Sequence, residues 1–217
     1  MAGFFSLILN SFEQEMTENK KISKFAALIL AAGNSSRMQK PKYALRFDEN
    51  HNFAEKIIST LYEVGCEKVA IVLNSNDIQN FKEHFTTYKS WLTVVENLNP
   101  ERGRFSSIKL GLELLKFQGN VLIINVDNPL FRKETLMYLA EKSNEAEVII
   151  PLFQGQKGHP VLISQAVVQK VLAQITADLP FREFLNGFHQ FHVEVEDENI
   201  LVNINTPEDY EAYITNR

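Results

Sequence analysis

Apolar residues recur along the chain in two rhythms, short unbroken runs and helical spacing, and the two alternate. The run at 25–32 predicts a strand buried on both faces. Residues 52–64 set Phe53, Ile57, Ile58, Leu61 and Val64 on one helical stripe, with Gly65 as a fitting stop. A strand at 68–73 comes next, then a short helix through Phe85 capped by Asn76 or Asp77, then a strand at 91–95. Gly103, Ser106 and Ser107 lead a helix with Ile108, Leu112 and Leu115 on one face. The nearly continuous apolar strand 120–126 ends in Asp127-Asn128-Pro129, and a helix near 133–143 and a strand at 148–153 continue the alternation.

Past a turn at 155–158 the pattern predicts a strand at 161–163 and a helix from Ser164 to about Ala173. A short helix at 179–188, a strand at 190–196 with one wet face and a last strand at 200–204 follow. Thr206-Pro207-Glu208-Asp209 opens the terminal helix as a capping box. Strands apolar on both faces, alternating with helices, predict an α/β fold: a Rossmann-like three-layer sandwich around a central, mostly parallel sheet. No repeat or linker divides the chain, so residues 23–217 are expected to form a single domain, preceded by an extension over 1–22 with no catalytic role.

Composition narrows the function classes. The 217 residues are 45% hydrophobic and 23% charged, as in an ordinary soluble globular protein. A net charge of −5 argues against nucleic acid as a partner. No apolar run reaches the ~20 residues that cross a bilayer, and the apolar start has no basic residues before it, so neither membrane insertion nor a signal peptide is expected. The single cysteine, Cys66, fits a reducing, cytoplasmic setting and reads as buried packing. Against this acidic background residues 37–46 carry Arg37, Lys40, Lys42 and Arg46 and no acidic residue.

Ligands of open α/β sheets gather beyond the carboxyl ends of the strands. That rule selects the loops 32–42, 97–107, 127–129 and 203–206. In the first, Gly33 precedes the small polar residues Asn34, Ser35 and Ser36, and Arg37 and Lys42 can neutralise phosphates. A solvated basic patch is the other reading of that loop, which matches neither the Walker nor the Gly-x-Gly-x-x-Gly pattern. Ser106 or Ser107 can bind an anion or a base edge, or cap the helix, and spacing favours the cap. Asp127, at the end of an apolar strand, is a natural Mg²⁺ ligand, with a simple turn as the competing reading. The Asn205 carbonyl oxygen can reach a hard cation from across the cleft. His159 lines an acceptor side or serves only its turn, the second being favoured. Glu194, Glu196, Asp197 and Glu198 read as a solvated acidic edge.

These residues also carry a resemblance. Leu30-Ala-Ala-Gly-Asn-Ser-Ser-Arg-Met38, followed by Pro41-Lys42, resembles the signature of nucleotidyltransferases related to molybdenum-cofactor cytidylyltransferase, the MobA-like NTP transferases of the glycosyltransferase-A-like superfamily. Segments 103–112, 124–130, 158–161 and 205–209 resemble further family segments in the same order, so the resemblance spans roughly 24–214. It implies nucleotide binding by Leu30, Ala31, Ala32, Gly33, Asn34, Ser35 and Ser36, with the backbone of 31–33 on base and sugar. Arg37 and Lys42 would bind the triphosphate, Ser106 or Ser107 would sit near the base, and Asp127 with Asn205 would hold Mg²⁺. The Leu-Ala-Ala-Gly form leans towards CTP. The implied reaction is Mg²⁺-dependent transfer of an NMP, CMP favoured, to a small phosphorylated acceptor such as molybdopterin, with release of pyrophosphate, by a monomer or homodimer. A sugar- or polyol-phosphate nucleotidyltransferase and a nucleotide-binding module that has lost catalysis are the alternatives. The chain departs from the family pattern at Asn203 and Asn205, where the family has aspartates, at Val126 and Asn128 around Asp127, and at Arg104 and Phe105, which replace smaller residues.

Overall fold

A computed structural model describes residues 24–33, 38, 40–84, 91–175 and 179–215. The elements are β1 (Phe25–Leu30), α1 (Phe53–Glu63), β2 (Val69–Asn74), α2 (Ser75–His84), β3 (Leu92–Asn97), α3 (Arg104–Leu115), β4 (Asn120–Asn125) and α4 (Lys133–Glu141). They continue with β5 (Val148–Phe153), β6 (Gln156–Lys157), β7 (Val161–Ile163), α5 (Gln165–Leu172), α6 (Phe181–Leu185), β8 (Gln190–Glu194) and α7 (Pro207–Thr215). Short 3-10 turns occupy Lys42–Ala44, Pro100–Arg102 and Glu198–Leu201.

The sheet runs β3-β2-β1-β4-β7-β5-β6, with β8 also paired to β5. The pairs β1–β2, β2–β3, β1–β4 and β5–β8 are parallel, whereas β7 lies antiparallel between β4 and β5. Strand side chains alternate between two cores. Phe25, Ala27 and Ile29 face one core with Ile57, Ile58 and Leu61 of α1 and Leu136 and Leu139 of α4. Ala26 and Leu28 face the other with Ile108, Leu112 and Leu115 of α3, Val167 and Val171 of α5, and Phe181 of α6. With both faces covered, β1 has no polar position to spare, which is why it reads as an unbroken apolar run. The expected α/β sandwich is what the chain forms, and no helix among the described residues is long and apolar enough to cross a membrane.

Most predicted elements fall where the apolar pattern sets them, and the differences have local causes. The α2 helix is capped from Asn74, whose Oδ1 accepts from the Asp77 N–H at 3.0 Å, and not from Asn76 or Asp77. The expected turn at 155–158 contains β6, which closes a hairpin on β5. The helix expected over 179–188 is only the short α6.

The strand expected at 200–204 is instead the turn Glu198–Leu201. Its backbone groups go to side chains and to loop backbone, including the His159 N–H on the Ile200 carbonyl at 2.9 Å, rather than to a neighbouring strand. Asn128 Nδ2 donates to the Asn199 carbonyl at 3.2 Å and to that of Val202, and Asp197 Oδ1 accepts from the Asn199 N–H at 3.2 Å. Asp197 is thus no part of a solvated edge. It is 2% exposed, and its Oδ2 accepts from the Arg132 N–H at 2.8 Å and the Thr135 hydroxyl at 2.7 Å. The extension expected over 1–22 lies outside the described residues.

Candidate active site

The strand order reverses between β1 and β4, so the loops leaving these two neighbours diverge and open a cleft beyond their carboxyl ends. The chain leaving β1 stays tied to the sheet for one more residue, since the Ala31 N–H donates to the Val72 carbonyl at 2.9 Å. The Leu30 carbonyl accepts from the Val126 N–H at 3.1 Å. Ala31 and Ala32 are buried, Gly33 is exposed, and a Cβ placed on Gly33 would meet nothing within 4 Å. Leu30, Ala31, Ala32 and Gly33 form one wall of a cavity of about 290 Å³ that also takes in Lys42, Gly103, Arg104, Ser107 and Asp127. Asn34, Ser35, Ser36 and Arg37 lie outside the described residues.

Three residues far apart in sequence meet at this cavity. Lys42, on the turn Lys42–Ala44, sets its Nζ 3.0 Å from Asp127 Oδ2 and 2.7 Å from Asn205 Oδ1. The fold fixes each partner through backbone. The Asp127 carbonyl accepts from the Ile204 N–H at 2.8 Å, which brings Asn205 alongside. Asp209 Oδ2 accepts from the N–H groups of Asn205 and Thr206, each at 2.9 Å, and Thr206 Oγ1 accepts from the Asp209 N–H at 3.2 Å. This is the predicted capping box, and it holds Asn205 at the mouth of α7. The Tyr210 and Tyr213 hydroxyls donate to the carbonyls of Arg46 at 3.0 Å and Phe47 at 2.8 Å, clamping α7 onto the chain that follows Lys42.

The donor set suits a hard divalent cation. Two oxygens, one carboxylate and one amide, converge on a single point that the Lys42 ammonium holds, and the buried Asp127 Oδ1 has no hydrogen-bond partner among the described residues. Asn203 is not part of this set, because its Nδ2 turns to the Leu201 carbonyl at 3.4 Å.

The two serines separate. Ser107 is buried, lines the cavity and accepts from Asn97 Nδ2 at 2.9 Å. Ser106 donates to the Gly103 carbonyl at 2.9 Å and is not among the cavity's lining residues. Neither caps α3, contrary to the reading that spacing favoured. That helix starts from Gly103 with no side-chain cap, at φ 90° and ψ 178°, a conformation essentially reserved for glycine.

Beyond Arg104 lies a larger cavity of about 650 Å³, with Phe105, Ile150, Phe181, Arg182 and His159 in its lining. His159 follows Gly158, where a Cβ would stand 2.6 Å from Ile200, and precedes Pro160 in a cis peptide. Burial, reinforced by the nearby Arg104 charge and opposed by Asp127, pushes the His159 pKa down to about 4. The imidazole is therefore neutral at pH 7, and its buried Nδ1 has no hydrogen-bond partner among the described residues. Arg104 has protein on several sides yet open surface towards the cavities. That crowding lowers its pKa, Asp127 opposes the shift, and the guanidinium stays charged.

Motif reading missed three contributors: Asn128, which ties 199–202 beside Asp127, Asn97, which orients Ser107, and Arg104, which lines both cavities. The available signal was positional, since Asn97 ends β3 and Asn128 follows the last residue of β4 by three.

Comparison with known proteins identifies relatives of this chain. The chain is 24% identical over 189 residues to the molybdenum cofactor cytidylyltransferase of Escherichia coli K12, spanning 87% of this chain and 95% of that one. It is 33% identical over 132 residues to a probable molybdenum cofactor guanylyltransferase of Clostridium perfringens SM101, spanning 60% of this chain and 61% of that one. Among solved structures, Rv0371c from Mycobacterium tuberculosis H37Rv shares the fold at a TM-score of 0.71 and 17% identity, over 88% of this chain and 98% of that one. The same protein has also been solved in complex with manganese. Residues 27–195 match the model of the MobA-like NTP transferase domain, and the chain belongs to that family of nucleotidyltransferases.

Proposed function

We propose that this protein transfers an NMP, with CMP favoured, from a nucleoside triphosphate to a small phosphorylated acceptor such as molybdopterin, in a Mg²⁺-dependent reaction. The observation that carries the reading is the meeting of Lys42, Asp127 and Asn205 at the mouth of a cavity walled by residues 30–33. Asp127 and Asn205 would hold the metal, which when bound neutralises charge on the triphosphate. The backbone of 31–33 would seat base and sugar, with Ser107 nearby. Lys42, and Arg37 beyond the described residues, would hold the β- and γ-phosphates and the charge that develops on leaving pyrophosphate. An oxygen of the acceptor phosphate forms a bond to the α-phosphorus as the bond to the bridging oxygen breaks and pyrophosphate departs. The protein's share is positioning and charge neutralisation.

CMP is favoured because Ala32 stands in the Leu-Ala-Ala-Gly segment and because one relative is a cytidylyltransferase. The guanylyltransferase relative makes GTP the competing donor. Pyrophosphate release measured with each of the four triphosphates, over a panel that includes molybdopterin and sugar and polyol phosphates, decides donor and acceptor together. Asp127→Ala is expected to reduce transfer at least ~100-fold while leaving the far-ultraviolet spectrum unchanged. Transfer at the wild-type rate by that variant would overturn the metal assignment. Tight triphosphate binding with no turnover on any acceptor would favour a binding module instead.

A further inference from the structure

Arg104 is the point where the two cavities meet. Gly103 and Arg104 line both, and of the two only Arg104 has a side chain that can reach across the boundary. Its charge acts on Asp127 on the nucleotide side and on His159 on the other. The larger cavity is cationic in an acidic protein. Arg102, Arg104, Lys157 and Arg182 line it, no carboxylate does among the described residues, and the chain carries a net −5. Ile123, Ile150, Phe105 and Phe181 give the same cavity an apolar part of its lining. A ligand matched to it is an anion with an apolar body.

We propose that Arg104 seats the acceptor, gripping its phosphate at the boundary between the cavities beside His159 and leaving one phosphate oxygen directed at the nucleotide. This deepens the nucleotidyltransferase reading and rests on it. The planar guanidinium fork takes two oxygens of a phosphate monoester, and the third non-bridging oxygen remains as the nucleophile. A lysine would hold the same charge without fixing which oxygen is free. The neutral imidazole of His159, with Nδ1 unpartnered among the described residues, adds a hydrogen-bonding group without a second charge.

The test uses the full-length protein at fixed neutral pH, with the nucleotide cavity filled by whichever non-hydrolysable triphosphate binds tightest and with inorganic phosphate as the probe. In wild type, phosphate should shift the His159 ring resonances saturably. Arg104→Met should raise the phosphate dissociation constant about tenfold or more, and Arg104→Lys by less, as expected for loss of charge-assisted hydrogen bonds. Because Arg104 also borders the nucleotide cavity, the triphosphate analogue should lose affinity too, but several-fold less than phosphate does in either variant. In turnover, Arg104→Met should raise the acceptor KM by several-fold more than the triphosphate KM. The proposal is overturned if phosphate leaves the His159 resonances unmoved, or if Arg104→Met binds phosphate as wild type does. It is also overturned if triphosphate affinity falls in step with phosphate affinity. If wild type binds no triphosphate, the nucleotide reading is what fails, and the same phosphate titration on nucleotide-free protein judges Arg104 by the same criteria. Arg104 is exposed, so neither variant threatens folding.

Discussion

His159 is held neutral at a cost that shows only on acidification. Its pKa falls from the ordinary histidine value to about 4 in the folded protein, with burial first among the causes. Between those two values the unfolded chain binds the proton and the folded protein does not. Stability is therefore fully present above pH ~6.5 and is lost as pH falls through the window towards 4, by at most about 3 kcal/mol. His159→Gln removes the titration. Urea unfolding at several pH values should show a flatter acid limb for that variant between pH ~6.5 and ~4, and an unchanged limb would mean that other groups carry the loss. At this scale the sequence was only partly legible. Asp127 and Asn205 were readable because a polar residue closes an apolar strand and another precedes a capping box. Asp197 was not, because a carboxylate in the acidic run 194–198 looks solvated until the fold brings the Arg132 amide and the Thr135 hydroxyl to it. Arg104 looked like a mere departure from pattern, since most of the second cavity it faces is built by residues from Ile123 to Gln190, well beyond it in sequence.

Elements were more legible than residues where the backbone serves itself, and less so where side chains satisfy it. The capping box on α1, from Asn52 and Glu55, and the Ser164 cap of α5 depend on neighbours in sequence, and such signals survive in one dimension. The strand expected at 200–204 does not form because the partners of this stretch, Asn128 and Asp127 after β4 and His159 before β7, are loop residues distant in sequence. The α3 helix shows how packing away from a site positions the residues that line it. It lies so close to the sheet that a Cβ on Gly111 would stand 2.3 Å from Leu28 Cδ1 and 2.8 Å from Val72 Cγ2. Both side chains are fully buried, so neither can yield cheaply. Gly111→Ala gains up to ~1 kcal/mol in helix propensity and loses ~1–3 kcal/mol to overpacking. The expected result is net destabilisation of about 1 kcal/mol in urea unfolding, with a shift of the α3 start that carries Gly103, Arg104 and Ser107. A variant more stable than wild type would show that the sheet yields to the helix.

At the scale of the whole molecule the antiparallel strand β7 divides the sheet into two halves with different charge duties. The half built from β1 to β4 brings residues 30–33, Asp127, Arg102 and Arg104, and the half around β5 brings the loop of His159 with Lys157, and Arg182. Net charge and local field here oppose each other. A chain of −5 repels an anion at long range, whereas a cavity with four cations and, among the described residues, no carboxylate in its lining attracts one at short range. The two terms predict opposite responses to salt, because screening shortens from ~10 Å at 0.1 M to ~3 Å at 1 M and removes whichever term dominates the approach. If the cavity field governs, kcat/KM for the phosphorylated acceptor should fall as ionic strength rises, with KM for the acceptor moving more than kcat. A triple variant, Arg102→Ala with Lys157→Ala and Arg182→Ala, should be poor at low salt and nearly flat thereafter, since these exposed side chains supply the field while Arg104 remains to seat the phosphate. Its KM for the triphosphate should stay close to that of wild type, because none of the three lines the nucleotide cavity. A wild-type kcat/KM that rises with salt would assign the approach to the net charge, and equal salt slopes in wild type and triple variant would take these three residues out of it.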